Sequence, residues 1–173
     1  VKSVSDSKIE LNYLSPDGEE GYPGNLDVTV TYEVSEDNEL KIHYEATTDK
    51  ATVIGLTNHS YFNLKGAGEG LVHDHFLQLN ADFRTALDEF TCPTGEVLKV
   101  DNTPYDFRNP TLLAHRIHNP VFASNRGLDD NWVIRREQPG VLANAGYIYE
   151  PVSGRKMEVL TTQPGVQVYT ANW

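Results

Sequence analysis

The sequence contains little cysteine and no long apolar run. Cys92 is the only cysteine among 173 residues, so no disulfide can form within the chain and a disulfide-stapled secreted scaffold is not indicated. No stretch approaches the roughly 20 apolar residues that cross a bilayer, and residues 1–10 lack the basic and apolar regions of a signal peptide. We therefore expect a soluble, cytoplasmic protein that has no membrane partner.

Basic residues are also few. Lysine and arginine together number 14 against 25 aspartates and glutamates, which gives a formal net charge of -11. A surface of this sign repels the phosphates of nucleic acids and anionic membranes, so we expect no nucleic-acid partner. It also disfavours a phosphorylated small substrate, although a local arginine cluster could override the overall field. A neutral ligand rich in hydroxyl groups fits this composition.

Patterns typical of β-strands dominate the sequence. Apolar and polar residues alternate over 26–34 and, after a polar turn, again over 40–48, which predicts an antiparallel hairpin. Residues 146–152 and 155–162 form a second hairpin candidate around Ser153 and Gly154, and a further strand is expected over 165–173.

Helix patterns are nearly missing. Short apolar or aromatic runs over 53–64, 73–85 and 128–135 read as additional strand segments, and one or two helical turns are expected over 112–118. With 39% hydrophobic residues the chain can bury one core. Many short strands without helices predict an all-β fold, a sandwich of antiparallel sheets.

Two segments carry residue types that can bind metal ions. The loop over 15–28 is rich in carboxylates but lacks the regular spacing of a calcium loop, so a solvated turn is the simpler interpretation. His73 and His75 stand two residues apart, a spacing found in some zinc sites, yet no third ligand follows and a surface or turn role is expected. Cys92 carries no signature of a nucleophile. We predict no metal.

His59 is the candidate for proton transfer, because an imidazole gains or loses a proton near neutral pH. In "TNHSYFNL", residues 57–64, Asn58 and Asn63 can orient this imidazole or a bound polar ligand, and Tyr61 and Phe62 can exclude water. From spacing alone, a histidine in an aromatic strand is more often structural than catalytic.

A second candidate site lies in "GLDDNW", residues 127–132. Asp129 and Asp130 can accept hydrogen bonds from sugar hydroxyls, and Trp132 could cover the apolar face of a sugar ring. The structural alternative is a polar turn that leads into a strand.

Four segments in this order, "SPDGEEGYPG", "LTNHSYFNL", "GLDDNW" and "TTQPGVQVYT", resemble the motifs of the aldose 1-epimerases, the galactose mutarotases. The resemblance implies a β-sandwich of the mutarotase type with a sugar bound in an open cleft and no cofactor or metal. It implies an isomerase that interconverts the α and β anomers of free hexoses such as galactose and glucose.

Site residues follow from the same resemblance. His59 is similar to the family's general acid, which protonates the ring oxygen of the pyranose. Asp129 and Gln167 correspond to residues that bind sugar hydroxyls, with Gln163 a less favoured alternative to Gln167. Asn58 is added as a substrate-binding prediction because it adjoins His59.

Two of the family's features lie outside the sequence. The general base is a glutamate beyond the "TTQPGVQ" motif, and an arginine and a second histidine precede the "SPDGEEGYPG" loop. We therefore expect residues 1–173 to be a single aldose 1-epimerase-like domain that is truncated at both ends. A non-catalytic carbohydrate-binding module and a hexose-6-phosphate 1-epimerase remain as alternatives.

Overall fold

Antiparallel β-strands make up nearly all of the regular structure. The computed structural model describes residues 1–173, which form two compact units, Val1–Ser60 and Tyr61–Trp173. No helix has the length or apolar character needed to cross a membrane. The strands are β1 (Ser3–Val4), β2 (Lys8–Ser15), β3 (Leu26–Val34), β4 (Leu40–Thr48), β5 (Phe76–Leu79), β6 (Phe83–Leu87), β7 (Pro93–Lys99), β8 (Thr111–Leu112), β9 (Asp129–Val133), β10 (Ala143–Tyr149), β11 (Lys156–Thr161) and β12 (Gly165–Tyr169).

The first unit contains one sheet of four strands in the order β1-β2-β3-β4. The hairpin predicted over 26–34 and 40–48 is confirmed with the same bounds, as β3 and β4. Its alternating apolar residues supply the periodicity of a strand, and the polar segment between the strands turns at Asn38, whose φ is 61°. A three-residue 3-10 helix, Glu19–Gly21, lies in the acidic loop before β3.

The strand expected over 53–64 does not form, and this expectation was wrong. Residues 51–63 contain neither helix nor strand. Two asparagine side chains accept hydrogen bonds from the backbone two residues farther on: Asn58 from the amide of Ser60 at 3.1 Å and Asn63 from the amide of Lys65 at 3.1 Å. Such local side-chain bonds compete with a strand ladder for the backbone.

The second unit contains two sheets, ordered β11-β10-β5-β8 and β12-β9-β6-β7. The predicted second hairpin is confirmed as β10 and β11, with Gly154 at a φ of 73° in the turn. The helical turn expected over 112–118 is a 3-10 helix, Leu113–His115, and a similar helix spans Pro120–Phe122.

One hydrophobic core joins the two sheets of this unit, which therefore form a sandwich. Leu77 and Leu79 of β5 enter it from one sheet and Trp132 of β9 enters from the other, with Val166 and Val168 of β12 packed against it. Its remaining buried members are Ala81, Val100, Tyr105, Phe107, Leu113, Ile117, Phe122 and Leu128.

Candidate functional site

Strands β9 and β12 form the framework of the candidate site. They pair antiparallel, with Asp129 opposite Tyr169 and Asn131 opposite Gln167. Directly opposed residues of an antiparallel pair project to the same face, and side chains alternate between faces along each strand. Asp129, Asn131, Gln167 and Tyr169 therefore share one face, which we call the polar face.

The structure brings two of the predicted binding residues together on this face. The Nε2 atom of Gln167 donates a hydrogen bond to Oδ1 of Asp129 at 2.9 Å. The Gln167 side chain is exposed and Asp129 is half-buried, so the pair remains open to a ligand. The carboxylate keeps acceptor capacity on both oxygens, and the amide oxygen of Gln167 is an additional acceptor.

Aromatic side chains lie beside this pair. The rings of Tyr61 and Tyr169 meet edge to face with their centroids 6.0 Å apart, and Tyr61 is 63% exposed. Since Tyr169 is itself part of the polar face and lies opposite Asp129 in the ladder, this aromatic pair borders the two binding residues.

Trp132 does not contribute to this face. It is fully buried at 0% exposure, and its Nε1 donates to the carbonyl oxygen of Tyr105 at 3.0 Å. Three residues after Asp129 in a strand, its side chain projects to the opposite side of the sheet. The suggestion that this indole covers a sugar ring is therefore wrong.

An ion pair lies on the core side of the same sheet. Asp130 is only 4% exposed, and its Oδ1 lies 3.6 Å from Nη1 of Arg84. The guanidinium carbon of Arg84 in turn lies 3.7 Å from the centroid of the Tyr105 ring. Burial raises the pKa of the Asp130 carboxyl above its ordinary value, and the neighbouring Arg84 opposes part of this rise.

The segments before β9 and after β12 are joined by hydrogen bonds. The amide of Leu128 donates to Oγ1 of Thr170 at 3.0 Å, and Nδ2 of Asn172 donates to the carbonyl oxygen of Leu128 at 2.9 Å. The preceding Gly127 has a φ of 155°, and a Cβ at this position would lie 2.5 Å from Oγ1 of Thr170. These contacts fix the start of β9 and with it the backbone of Asp129.

His59 and Asn58 belong to the first unit, whereas Asp129 and Gln167 belong to the second. His59 is exposed and lies outside any strand. Asn58 is half-buried and its Oδ1 bonds to the Ser60 amide, so this side chain fixes the backbone around His59.

The end of the motif that contains His59 is anchored within the second unit. His75, only 1% exposed, accepts a hydrogen bond at Nε2 from the Leu64 amide at 3.1 Å, and the carbonyl oxygen of Leu64 accepts from Nη1 of Arg155 at 2.9 Å. His75 is therefore not a surface residue, but the expected turn is present, since its amide donates to the carbonyl oxygen of Val72 at 3.0 Å. The Leu64 amide that bonds to His75 lies 11 residues earlier in the chain, in a segment without helix or strand, and sequence spacing does not reveal this contact.

The turn that carries Arg155 is itself held by a buried carboxylate. Glu150 is fully buried and accepts hydrogen bonds from the amides of Ser153 at 2.6 Å and Val152 at 2.9 Å. Hydrogen bonding from Ser153 is the main reason that the pKa of Glu150 lies below its ordinary value.

The acidic loop before β3 uses its carboxylates internally. Asp17 accepts hydrogen bonds from Nζ of Lys50 and the amide of Gly24, both at 2.6 Å, and Glu19 accepts from Tyr13 and Ser15. Neither here nor elsewhere in the chain does a group of three or more histidine, cysteine, aspartate or glutamate residues have an arrangement that could hold a metal ion.

Comparison with known proteins decides the family. The family model described as aldose 1-epimerase matches residues 1–173. The chain belongs to the aldose 1-epimerase family. It is 42% identical to the galactose mutarotase of Sus scrofa over 170 residues, which are 98% of this chain and 48% of that protein. It is 38% identical to the aldose 1-epimerase of Haemophilus influenzae over 176 residues, which cover 100% of the chain and 50% of that protein.

Solved structures of family members have the same fold. The aldose epimerase homologue from C. elegans matches with a TM-score of 0.84 and 28% identity, over 95% of this chain and 49% of its own. The galactose 1-epimerase from Lactobacillus acidophilus matches with a TM-score of 0.74 and 29% identity, over 86% and 43% respectively. The predicted family and the all-β fold of the mutarotase type are confirmed. The chain spans about half the length of the curated relatives it matches.

Proposed function

We propose that the protein containing this chain is an aldose 1-epimerase that interconverts the α and β anomers of free hexoses such as galactose and glucose. Membership of the aldose 1-epimerase family supports the reaction class. The observation within the chain that carries the proposal is the hydrogen-bonded pair of Asp129 and Gln167 on the open polar face.

The chemistry of this pair suits a neutral sugar. A carboxylate accepts hydrogen bonds from hydroxyl groups, whereas a primary amide both donates and accepts. Asp129 and Gln167 can therefore together bind sugar hydroxyls as donors and as acceptors. The bond between the two side chains orients the carboxylate before a ligand arrives, so less conformational entropy is lost on binding.

His59 is proposed as the general acid. In mutarotation a base removes the proton of the anomeric hydroxyl while an acid protonates the ring oxygen, and the C1–O5 bond breaks to give the open aldehyde. Rotation about C1–C2 and reclosure with the two roles reversed give the other anomer. Asn58, which fixes the backbone beside His59, is proposed to assist substrate binding. The base is the glutamate that the family resemblance assigns to a segment beyond "TTQPGVQ".

The reaction needs only acid and base, and the proposed partner is a free aldohexose. A hexose 6-phosphate is less well suited because the arginines near Asp129 are engaged. Arg84 pairs with Asp130 on the core side, and the guanidinium carbon of Arg126 lies 4.1 Å from the centroid of the Trp173 ring. Comparing anomerisation rates of free and phosphorylated hexoses tests this choice, since faster conversion of the phosphorylated sugars would overturn it.

A combined experiment separates the enzyme from a non-catalytic carbohydrate-binding module. Galactose is titrated calorimetrically into the full-length protein, and anomer equilibration is followed by polarimetry on the same sample. Binding together with accelerated equilibration is expected. Binding without acceleration would indicate the module, and the absence of both would refute a sugar-directed function.

Two further statements remain predictions. Residues 1–173 are proposed to form part of one aldose 1-epimerase-like domain, and the protein is proposed to be cytoplasmic, which is supported by the presence of a single, exposed cysteine.

A further inference from the structure

Asn131 occupies a position on the polar face that the family motifs did not single out. It lies directly opposite Gln167 in the ladder between β9 and β12 and two residues after Asp129 on the same strand. Its side chain therefore projects beside both proposed binding residues. It is half-buried, so the amide is held at the surface of the sheet rather than extended into solvent.

The space around this amide is created by a glycine. A Cβ built on Gly165, the residue of β12 two positions before Gln167, would lie 2.5 Å from Oδ1 and 3.1 Å from Nδ2 of Asn131. Since real Cβ atoms do not approach so closely, any other residue at 165 would displace the Asn131 side chain. Gly165 thus permits the observed position of the Asn131 side chain.

The hydrogen-bonding capacity of Asn131 is largely unused. Its Nδ2 donates to Oγ1 of Thr85 on β6 at 3.4 Å, a long contact, and its Oδ1 accepts no hydrogen bond from another residue. A primary amide offers two donor hydrogens and an oxygen with two lone pairs. Asn131 therefore presents both a donor and an acceptor beside Asp129 and Gln167.

We propose that Asn131 is a third sugar-binding residue of the polar face and that it recognises one particular hydroxyl group of the hexose. The inference rests on the proposed function, because it names a further contact within the same binding site. In this arrangement Asp129 accepts from sugar hydroxyls, while the Asn131 and Gln167 amides each donate and accept. Gly165 allows the Asn131 amide to keep the position that this contact requires.

The test uses the full-length protein and measures KM and kcat for galactose, glucose and a series of monodeoxy hexoses. Asn131→Ala is expected to raise KM for the parent hexose about 3- to 10-fold, as for the loss of one neutral hydrogen bond, with little change in kcat. For the one deoxy sugar that lacks the recognised hydroxyl, wild type and Asn131→Ala should have the same KM. A merely structural role would not produce this selectivity.

Two further variants complete the design. Gly165→Ala, which displaces the amide without removing it, should raise KM in the same direction as Asn131→Ala. Asn109→Ala removes an exposed asparagine from a turn of the same unit and serves as the matched control, for which wild-type constants are expected. Thermal unfolding of each variant shows whether it is folded.

The outcomes distinguish the inference from the proposed function. If the wild-type protein equilibrates anomers but Asn131→Ala has an unchanged KM, or loses the same factor for every deoxy sugar, the inference alone is refuted. If the wild-type protein neither binds nor equilibrates hexoses, the proposed function is refuted and the inference falls with it.

Discussion

The bond between Gln167 and Asp129 predicts that the two residues act as one binding unit. We consider the variants Asp129→Ala, Gln167→Ala and the double variant in the full-length protein, with galactose affinity measured by calorimetric titration. Removing Asp129 takes away hydrogen bonds to a charged group, which contribute about 1.5–3 kcal/mol, so Kd should rise about 10- to 150-fold. Removing Gln167 takes away hydrogen bonds of a neutral amide, so the binding free energy should weaken by about 0.5–1.5 kcal/mol.

The double variant tests the coupling. Gln167 donates to Oδ1 of Asp129 at 2.9 Å, so part of its effect is to hold the carboxylate in place, and that part vanishes once Asp129 is absent. The summed losses of the single variants should therefore exceed the loss in the double variant by about 0.5–1.5 kcal/mol, as for residues in direct contact. Strict additivity would contradict the idea of a coupled pair.

Gln163 provides the matched control for this cycle. It is also exposed, lies four residues before Gln167, and its backbone amide donates to Oγ1 of Thr161 at 3.0 Å. Gln163→Ala should leave galactose affinity unchanged. If it weakened binding as much as Gln167→Ala does, the assignment of Gln167 as the sugar-binding glutamine would be wrong.

Three stability predictions follow from the second unit, all measured by urea unfolding. His75→Ala should lower the free energy of unfolding by about 2–4 kcal/mol because it removes a buried hydrogen bond and leaves a cavity, while His115→Ala, at an exposed position, should change it little. Burial raises the pKa of Asp130, so the stability gained from the protonated carboxyl is present below about pH 4 and is lost as pH rises through the raised pKa. Asp130→Asn should abolish this pH dependence of the free energy of unfolding. Parallel stability profiles for wild type and Asp130→Asn would contradict the reasoning. Gly146→Ala should destabilise by more than about 2 kcal/mol, since φ is 138° and a Cβ would overlap a backbone carbonyl of β5, whereas Gly140→Ala, at a φ of 75° in open space, should cost about 1 kcal/mol.

Local periodicity was sufficient to predict some elements closely. The alternation over 26–34 and 40–48 reproduces the bounds of β3 and β4 because both strands are long and their turn is polar. The same alternation within "GLDDNW" places Trp132 on the face of the strand that Asp129 does not occupy. In contrast, the backbone over 53–64 is shaped by hydrogen bonds to the Asn58 and Asn63 side chains, and the apolar pattern of this segment gives no sign of them.

The contacts within the candidate site could not be predicted from local patterns. Asp129 and Gln167 are 38 residues apart, and their contact depends on the register in which β9 pairs with β12. Register is selected by the packing of whole strands, which short sequence windows do not encode. The environment of His75 is likewise hidden from local patterns, because its hydrogen-bond partner Leu64 lies 11 residues earlier in an irregular segment.

We propose that His59 supplies the acid for hexose mutarotation, and polarimetry on the full-length protein provides the decisive test. Anomer equilibration of galactose is compared for wild type, His59→Asn and His43→Asn, the last being a matched change at an exposed histidine of β4 in the same unit. We predict that His59→Asn lowers kcat by about 10²- to 10⁴-fold and that the rate of His43→Asn equals that of wild type. An unchanged rate for His59→Asn would contradict the claim.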